Sequence, residues 1–272
     1  MRMTWVKAQT ALALAVLGSG VGAALVGSGG QGLTLAGPQV LRLIQQSSAA
    51  LSTYPALTMT TTFTISRREL QETVVESGTL TPDGRTGDVL INGRGQRFEL
   101  LVVNGVVYAH ANLTLTGGKS WVGFDPEVGS RSSGIGVPTG TDTMRYLAML
   151  PGASGPVQMI GRSRIDGAMT THYRVAIDLQ KAYATLPAKL QTAAPDVMAQ
   201  LDTATAPYDI WLDDQHIVRQ IEFRVSIGGV TLDGRIRIRG SQTPVHVTAP
   251  SRSDVVMVSS LQEFQSLANT GP

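Results

Sequence analysis

No cysteine occurs anywhere in the 272 residues. That absence excludes thiol catalysis, thiolate zinc sites, disulfide bracing and anchoring through a lipid on a cysteine. A surplus of one charge is also missing. Arg2 and Lys7 are the basic residues of the first thirty, which hold no acid, so of 22 basic and 20 acidic residues the rest of the chain keeps 20 of each. A nucleic-acid partner needs clustered positive charge and loses its main support. There is no Gly-x-Ser-x-Gly elbow to raise a serine nucleophile. The four histidines, His110, His172, His216 and His246, show no close metal-ligand spacing and fall in or beside different expected strands. Hence no catalytic residue, metal ligand or cofactor site is assigned, and the expectation is a protein that is not an enzyme.

Three local patterns have plainer explanations than chemistry. Gly117-Gly118-Lys119-Ser120 ends like a phosphate loop, but Leu113 stands where that loop requires glycine, and a strand is expected to follow instead of a helix. Asp213 and Asp214 are adjacent, so they point to opposite sides of a strand end and fit a solvated turn better than an acid/base pair. Asn112-Leu113-Thr114 matches a glycosylation pattern by chance unless the host glycosylates exported proteins.

What is present starts with a leader. Arg2 and Lys7 precede an apolar, small-residue run from Ala11 to Val26, with Val21-Gly22-Ala23 as a cleavage site, so residues 1–30 read as an export signal, with a retained membrane anchor as the alternative. Gly27 to Gly32 is a tether, and the linker is placed at 31–37. About 240 residues remain, enough for one sizeable core, and 38–272 is taken as a single domain.

Pro38 opens a helix carrying Val40, Leu41, Ile44 and Leu51, stopped by Pro55. From Leu57 to Ile65 the chain alternates: Met59, Thr61, Phe63 and Ile65 share one face, and threonines fill the other. A meander follows through the turn Thr81-Pro82-Asp83-Gly84 and reversals at Asn92-Gly93 and Asn104-Gly105, ending in a short strand from Lys119 to Phe124. Gly129 to Thr141 reads as a mobile loop, and Asp142 caps a short helix with Met144, Leu147 and Leu150. Val157 to Ile165 and Met169 to Asp178 form a hairpin about Asp166-Gly167. Helical pieces span Leu179 to Leu201. A second meander uses Tyr208 to Leu212, Ile217 to Ile227 and Val230 to Ile238, with Gln220, Glu222, Arg224, Asp233, Arg235 and Arg237 on the wet face. His172, on the polar face beside the buried Tyr173, takes a surface or ladder role. An irregular stretch with Pro244 and Pro250 leads to a last helix from Ser259 to Leu267.

The fold class is α+β: a strongly curved antiparallel half-barrel of about ten strands, its concave face covered by short helices and enclosing an apolar pocket.

The amino-terminal helix, the reversal around Asn104-Gly105-Val106-Val107-Tyr108, the strand with Trp121, the hairpin from Ile165 to Tyr173 and the runs Tyr208 to Asp213 and Ile217 to Ile221 together resemble the actinobacterial LppX/LprG-type lipoproteins, relatives in fold of the LolA carriers. The resemblance spans roughly residues 38 to 240. It implies a hydrophobic cavity that takes up acyl chains and a carrier of lipid or lipoprotein in the cell envelope, loading and releasing at a membrane surface. The chain departs from that family in lacking the lipobox cysteine.

On this reading the cavity wall comprises Met59, Phe63, Ile65, Phe98, Leu100, Tyr173, Val175, Ile177, Ile221, Phe223 and Val225. The helices from Val40 to Leu51 and from Met144 to Leu150, with Leu147, are lids, and Gly129 to Thr141 is the mouth. The expected protein is an exported monomer with no cofactor. A membrane transporter or regulatory protein is its candidate macromolecular partner. The alternative function is an envelope-stress sensor on the same fold, binding a membrane regulatory protein.

Overall fold

The structure is a computed structural model that describes residues 34–35, 37–93, 96–110, 115, 117–124, 153–185 and 205–259. The leader, the sequon at Asn112, the loop 129–141, the helix with Met144, Leu147 and Leu150, residues 186–201 and the helix expected after Ser259 lie outside the described residues.

In chain order the elements are β1 (Thr34–Leu35), α1 (Gly37–Leu51), β2 (Ala56–Arg67), β3 (Leu70–Leu80), β4 (Gly87–Gly93), β5 (Gln96–Val103), β6 (Val106–His110), β7 (Trp121–Phe124), β8 (Ala153–Ile165), β9 (Ala168–Asp178), α2 (Leu179–Thr185), β10 (Thr205–Asp213), β11 (Val218–Ile227), β12 (Val230–Ser241) and β13 (Val255–Val258). All the strands join one sheet in the order β1-β8-β9-β10-β11-β12-β2-β3-β4-β5-β6-β7-β13. Among the described residues thirteen strands stand where about ten are expected, and the unexpected ones are β1 and β13, short edge pieces that carry little periodic signal. An open sheet this wide must curl.

Two consecutive meanders, β2 to β7 and β8 to β12, are fused where β12 runs antiparallel to β2 from Thr231 opposite Ser66 to Ser241 opposite Ala56. Tight reversals hold the neighbours. Asn104 and Gly105 have φ of 55° and 85°, and Asp166 and Gly167 have 48° and 85°, the left-handed pairs that two-residue hairpins demand. Asn92-Gly93 is not a reversal. Gly93 pairs with both Val74 and Gln96, so β4 runs through it. That register keeps Ile91 opposite Phe98 on the apolar face, and a shift by one would turn both strands inside out.

The sheet is not wholly antiparallel. β13 lies parallel to β7, with Val255 opposite Trp121 and Val258 opposite Phe124. Lys119 and Ser120, expected inside the preceding strand, instead clamp this join. Lys119 Nζ donates to the Val255 carbonyl at 2.9 Å, and the Ser120 N–H and hydroxyl donate to Asp254 Oδ1 at 3.0 and 3.1 Å. The residues that imitate a phosphate loop are thus a structural staple.

Helix α1 packs on β8 and β11. Its last residue, Leu51, is fully buried. The Val218 N–H donates to Ser47 Oγ at 2.7 Å, and both residues are buried. After the helix, Tyr54 lies where a Cβ on Gly240 would stand, so glycine there seats the ring against β12. No helix among the described residues is long and apolar enough to cross a membrane.

Candidate ligand-binding wall

Register sorts the side chains of the sheet into rows that run across the strands. One row is Val175, Tyr208, Phe223, Gly234, Phe63, Val74 and Gly93. The next is Tyr173, Ile210, Ile221, Ile236, Thr61, Glu76, Ile91 and Phe98. A third is Ile238, Met59, Gly78, Val89, Leu100, Ala109, Val122 and Val256. Because side chains alternate across a strand, these rows occupy a single face, which we call the inner face.

Every expected wall residue among the described ones lies on this face. Met59, Phe63, Ile65, Leu100, Tyr173, Val175, Ile177, Ile221, Phe223 and Val225 are buried in one apolar cluster, and Phe98 is half-buried against it. Leu147 lies outside the described residues. The alternation rule missed Tyr208 and Ile210, which complete the rows between β9 and β11. Both stand on the same parity in Tyr208-Asp-Ile-Trp-Leu212, where the apolar Trp211 on the opposite parity obscures the pattern.

The aromatic centre of the wall has a definite shape. The Tyr208 and Phe223 rings stack at 5.3 Å with planes 20° apart, and Phe63 lies 6.5 Å from Phe223. The Phe223 ring lies over Gly234, occupying the place of a Cβ there. Farther along, Gly78 and Gly87 allow β3 and β4 to approach so closely that an added Cβ would meet the backbone oxygens of Asp88 and Thr79. Beside Gly78, a recess with about 10 Å³ of free volume is lined by Met59, Thr61, Glu76, Ser77, Gly78, Leu80 and Val89. It has room for one water and not for a hydrocarbon chain.

The outer face is polar, yet part of it is drier than its sequence suggests. Gln220, expected to be wet, is only 4% exposed. Its amide is held by neighbours: Gln220 Nε2 donates to Glu222 Oε1 at 2.9 Å, and Arg237 Nε donates to Gln220 Oε1 at 2.8 Å. Arg235 Nε reaches the same Glu222 oxygen at 2.6 Å. His172 takes the ladder role. It stacks on Trp211 and shares a 2.7 Å hydrogen bond with Asp209, whose two oxygens also accept from Arg174 Nε and Nη2 at 2.9 and 3.0 Å. Burial pushes the Asp209 carboxyl up, but the hydrogen bonds from His172 and Arg174, with the charges behind them, outweigh burial and hold it below its usual value.

Asp213 corrects the expectation of a solvated turn. It is buried, and its Oδ1 accepts the backbone N–H groups of Gln215 and Ile217, both at 2.9 Å, while Oδ2 pairs with Arg219 at 2.7 Å. This closes the β10–β11 link, in which His216 takes a φ of 61°. Asp214 is exposed and pairs with Arg162. Both carboxylates are thus structural. Among the described residues no group of three or more His, Asp or Glu side chains is placed to hold a metal.

No family model and no curated protein matches the chain. Among solved structures, it is similar to the lipoprotein LppX of Mycobacterium tuberculosis, at a TM-score of 0.49 and 16% identity over 78% of this chain and 100% of that one. It is similar to LprF of Mycobacterium bovis at 0.45 and 18%, over 79% and 98% of the two chains. A LolA superfamily protein of Nitrosomonas europaea follows at 0.33 and 6%, over 75% and 94%.

Proposed function

We propose that the protein holds a lipid or acyl chain against the inner face of its sheet and serves as an exported, non-enzymatic carrier of lipid or lipoprotein in the cell envelope, exchanging its load at a membrane surface. The observation that carries this reading is the largely apolar inner face that extends from Tyr173 on β9 to Val256 on β13, broken at its centre by Thr61 and Glu76. The described helices pack at one side, α1 on β8 and β11 and α2 on β9. At the other side Phe98, Ala109 and Val256 remain only partly buried.

The driving force is burial of methylene groups at about 0.8 kcal/mol each. A chain of about sixteen carbons would contribute roughly 10 kcal/mol before the cost of ordering it. On the outer face Arg174, Arg224 and Arg235 are paired with Asp209, Asp233 and Glu222.

Native mass spectrometry of the full chain purified from a membrane-containing lysate tests the proposal. A bound mass that disappears on organic extraction, and returns on incubation with extracted envelope lipid, is the expected result. A ligand-free mass throughout, with no uptake of a fluorescent apolar probe, would overturn it. Capture of a membrane regulatory protein by such a ligand-free chain would favour the sensor instead.

A further inference from the structure

The two ends of the sheet differ in charge. Where β3 leads to β4, β8 to β9 and β10 to β11, the hairpin links and the strand ends beside them carry Asp83, Asp166, Asp213 and Asp214, with Arg85 as their cation. At the opposite end β2 passes into β3 through Arg67-Arg68-Glu69-Leu70, and β11 into β12 through Gly228-Gly229. Arg67 and Arg68 are exposed, and among the described residues neither is ion-paired, whereas Arg174, Arg224 and Arg235 of the outer face all are. With Glu69 the tip keeps a net positive charge.

Leu70 sits at this tip and is 77% exposed. It pairs with Arg67, two residues past the pair of Ile65 and Glu72, so it belongs to the inner-face side of β3 at the rim of the wall. Ile227 and Val230 pair at the end of the adjoining hairpin, which Thr231 opposite Ser66 sets alongside. On the other flank β3 runs four residues past its last pair with β4, Val74 opposite Gly93, which is roughly 13 Å of strand. A lone exposed leucine needs no explanation. This one stands on a projecting turn, beside two unpaired arginines, where the apolar face ends. That composition suits the boundary of a bilayer, where an apolar side chain leaves water while guanidinium groups meet phosphates.

We propose that this end of the sheet docks on an anionic lipid bilayer, with Leu70 inserted below the headgroups and Arg67 and Arg68 on lipid phosphates. The inference rests on the proposed function and adds which end of the molecule meets the membrane and what charge that membrane bears. The rim of the inner face is thereby set against the bilayer, and the aspartate-bearing links point away from a surface that would repel them.

Because the chain has no cysteine, Gln71→Cys carries a single nitrobenzoxadiazole label beside the tip, and Gln215→Cys carries one at the far end. The labelled full chain is mixed with phosphatidylcholine vesicles, with and without phosphatidylglycerol. The label at 71 should brighten and shift to the blue on the anionic vesicles, and the label at 215 should not. Leu70→Asp should abolish the change at 71. Replacing both arginines, by Arg67→Gln with Arg68→Gln, should raise the lipid concentration needed by roughly tenfold, and added salt should act in the same direction. No change at 71, equal changes at 71 and 215, or a change that Leu70→Asp leaves intact overturns the docking. Uptake of N-phenyl-1-naphthylamine, a neutral fluorescent probe, in the absence of vesicles reads the wall separately. A chain that takes up the probe while its tip stays in water loses the docking and keeps the carrier reading; a chain that seats its tip on vesicles and takes up no probe keeps the docking and loses the carrier.

Discussion

The imidazole of His172 lies flat on the indole of Trp211, with ring centroids 4.1 Å apart and planes 11° from parallel. The two are register partners on β9 and β10, and the stack lets a large apolar ring sit on the polar side of the sheet without facing water. His172 is fixed in turn by Asp209, which Arg174 grips with two nitrogens.

Asp209→Asn should destabilise the fold at pH 7 by about 1.5–3 kcal/mol, the range for hydrogen bonds to a charged group. Asp209 is a lowered carboxyl, so its contribution is fully present above the unfolded value, about 3.9, and is lost as pH falls through the lower folded value. The deficit of the variant should therefore shrink below about pH 4. Urea unfolding of both proteins at pH 7 and at pH 3 measures it. A deficit of the same size at both pH values would assign the loss to packing instead.

Gly234 is the floor under the Phe223 ring. Gly234→Ala should cost about 1–3 kcal/mol, because the ring is held between Tyr208 and Phe63 and cannot swing away freely. In a Phe223→Ala background the same change should cost much less. A double-mutant cycle by urea denaturation checks this, and additive losses would show that the glycine serves only backbone geometry.

Much of this architecture is legible in the chain because local rules act alone there. Asp166-Gly167 and Asn104-Gly105 turn where they should, since few residue pairs tolerate positive φ twice in succession. The alternation of Met59, Thr61, Phe63 and Ile65 places them on one face without further information. What stays hidden depends on residues far apart. Val255 to Val258 is too short to show a period, and its parallel pairing with β7 leaves no turn signal between the two. That Thr61 faces Glu76 follows only from the β2–β3 register. Asp213 looks like a solvated turn residue because its partners Gln215, Ile217 and Arg219 converge only when the β10–β11 link closes.

Ser47 anchors α1 to the start of β11. Ser47→Ala removes the acceptor for the Val218 N–H, and because both residues are buried no water replaces it. The expected loss is about 1–3 kcal/mol, the cost of leaving a buried donor unsatisfied. Amide exchange at Val218 should accelerate by more than at the centre of β12. Exchange unchanged at Val218 would mean that the helix is held by Leu51 and its apolar neighbours alone.

Val175 opposes Tyr208 in the wall and is buried without contributing a polar atom. Val175→Trp places an indole where the proposed ligand would lie. Overpacking costs about 1–3 kcal/mol, so thermal unfolding should remain cooperative at a reduced midpoint. If the inner face is a ligand wall, uptake of N-phenyl-1-naphthylamine should fall by roughly tenfold, equivalent to about 1.4 kcal/mol of binding free energy. The conservative exchange Val175→Ile adds one methylene and should leave uptake within about a factor of three, since one such group changes apolar transfer by only about 0.8 kcal/mol. Both variants are compared by fluorescence titration at a temperature where each is fully folded. Uptake that survives the tryptophan undiminished would place the ligand away from β9 and β10, on the side of the sheet where Phe98, Ala109 and Val256 are less completely buried.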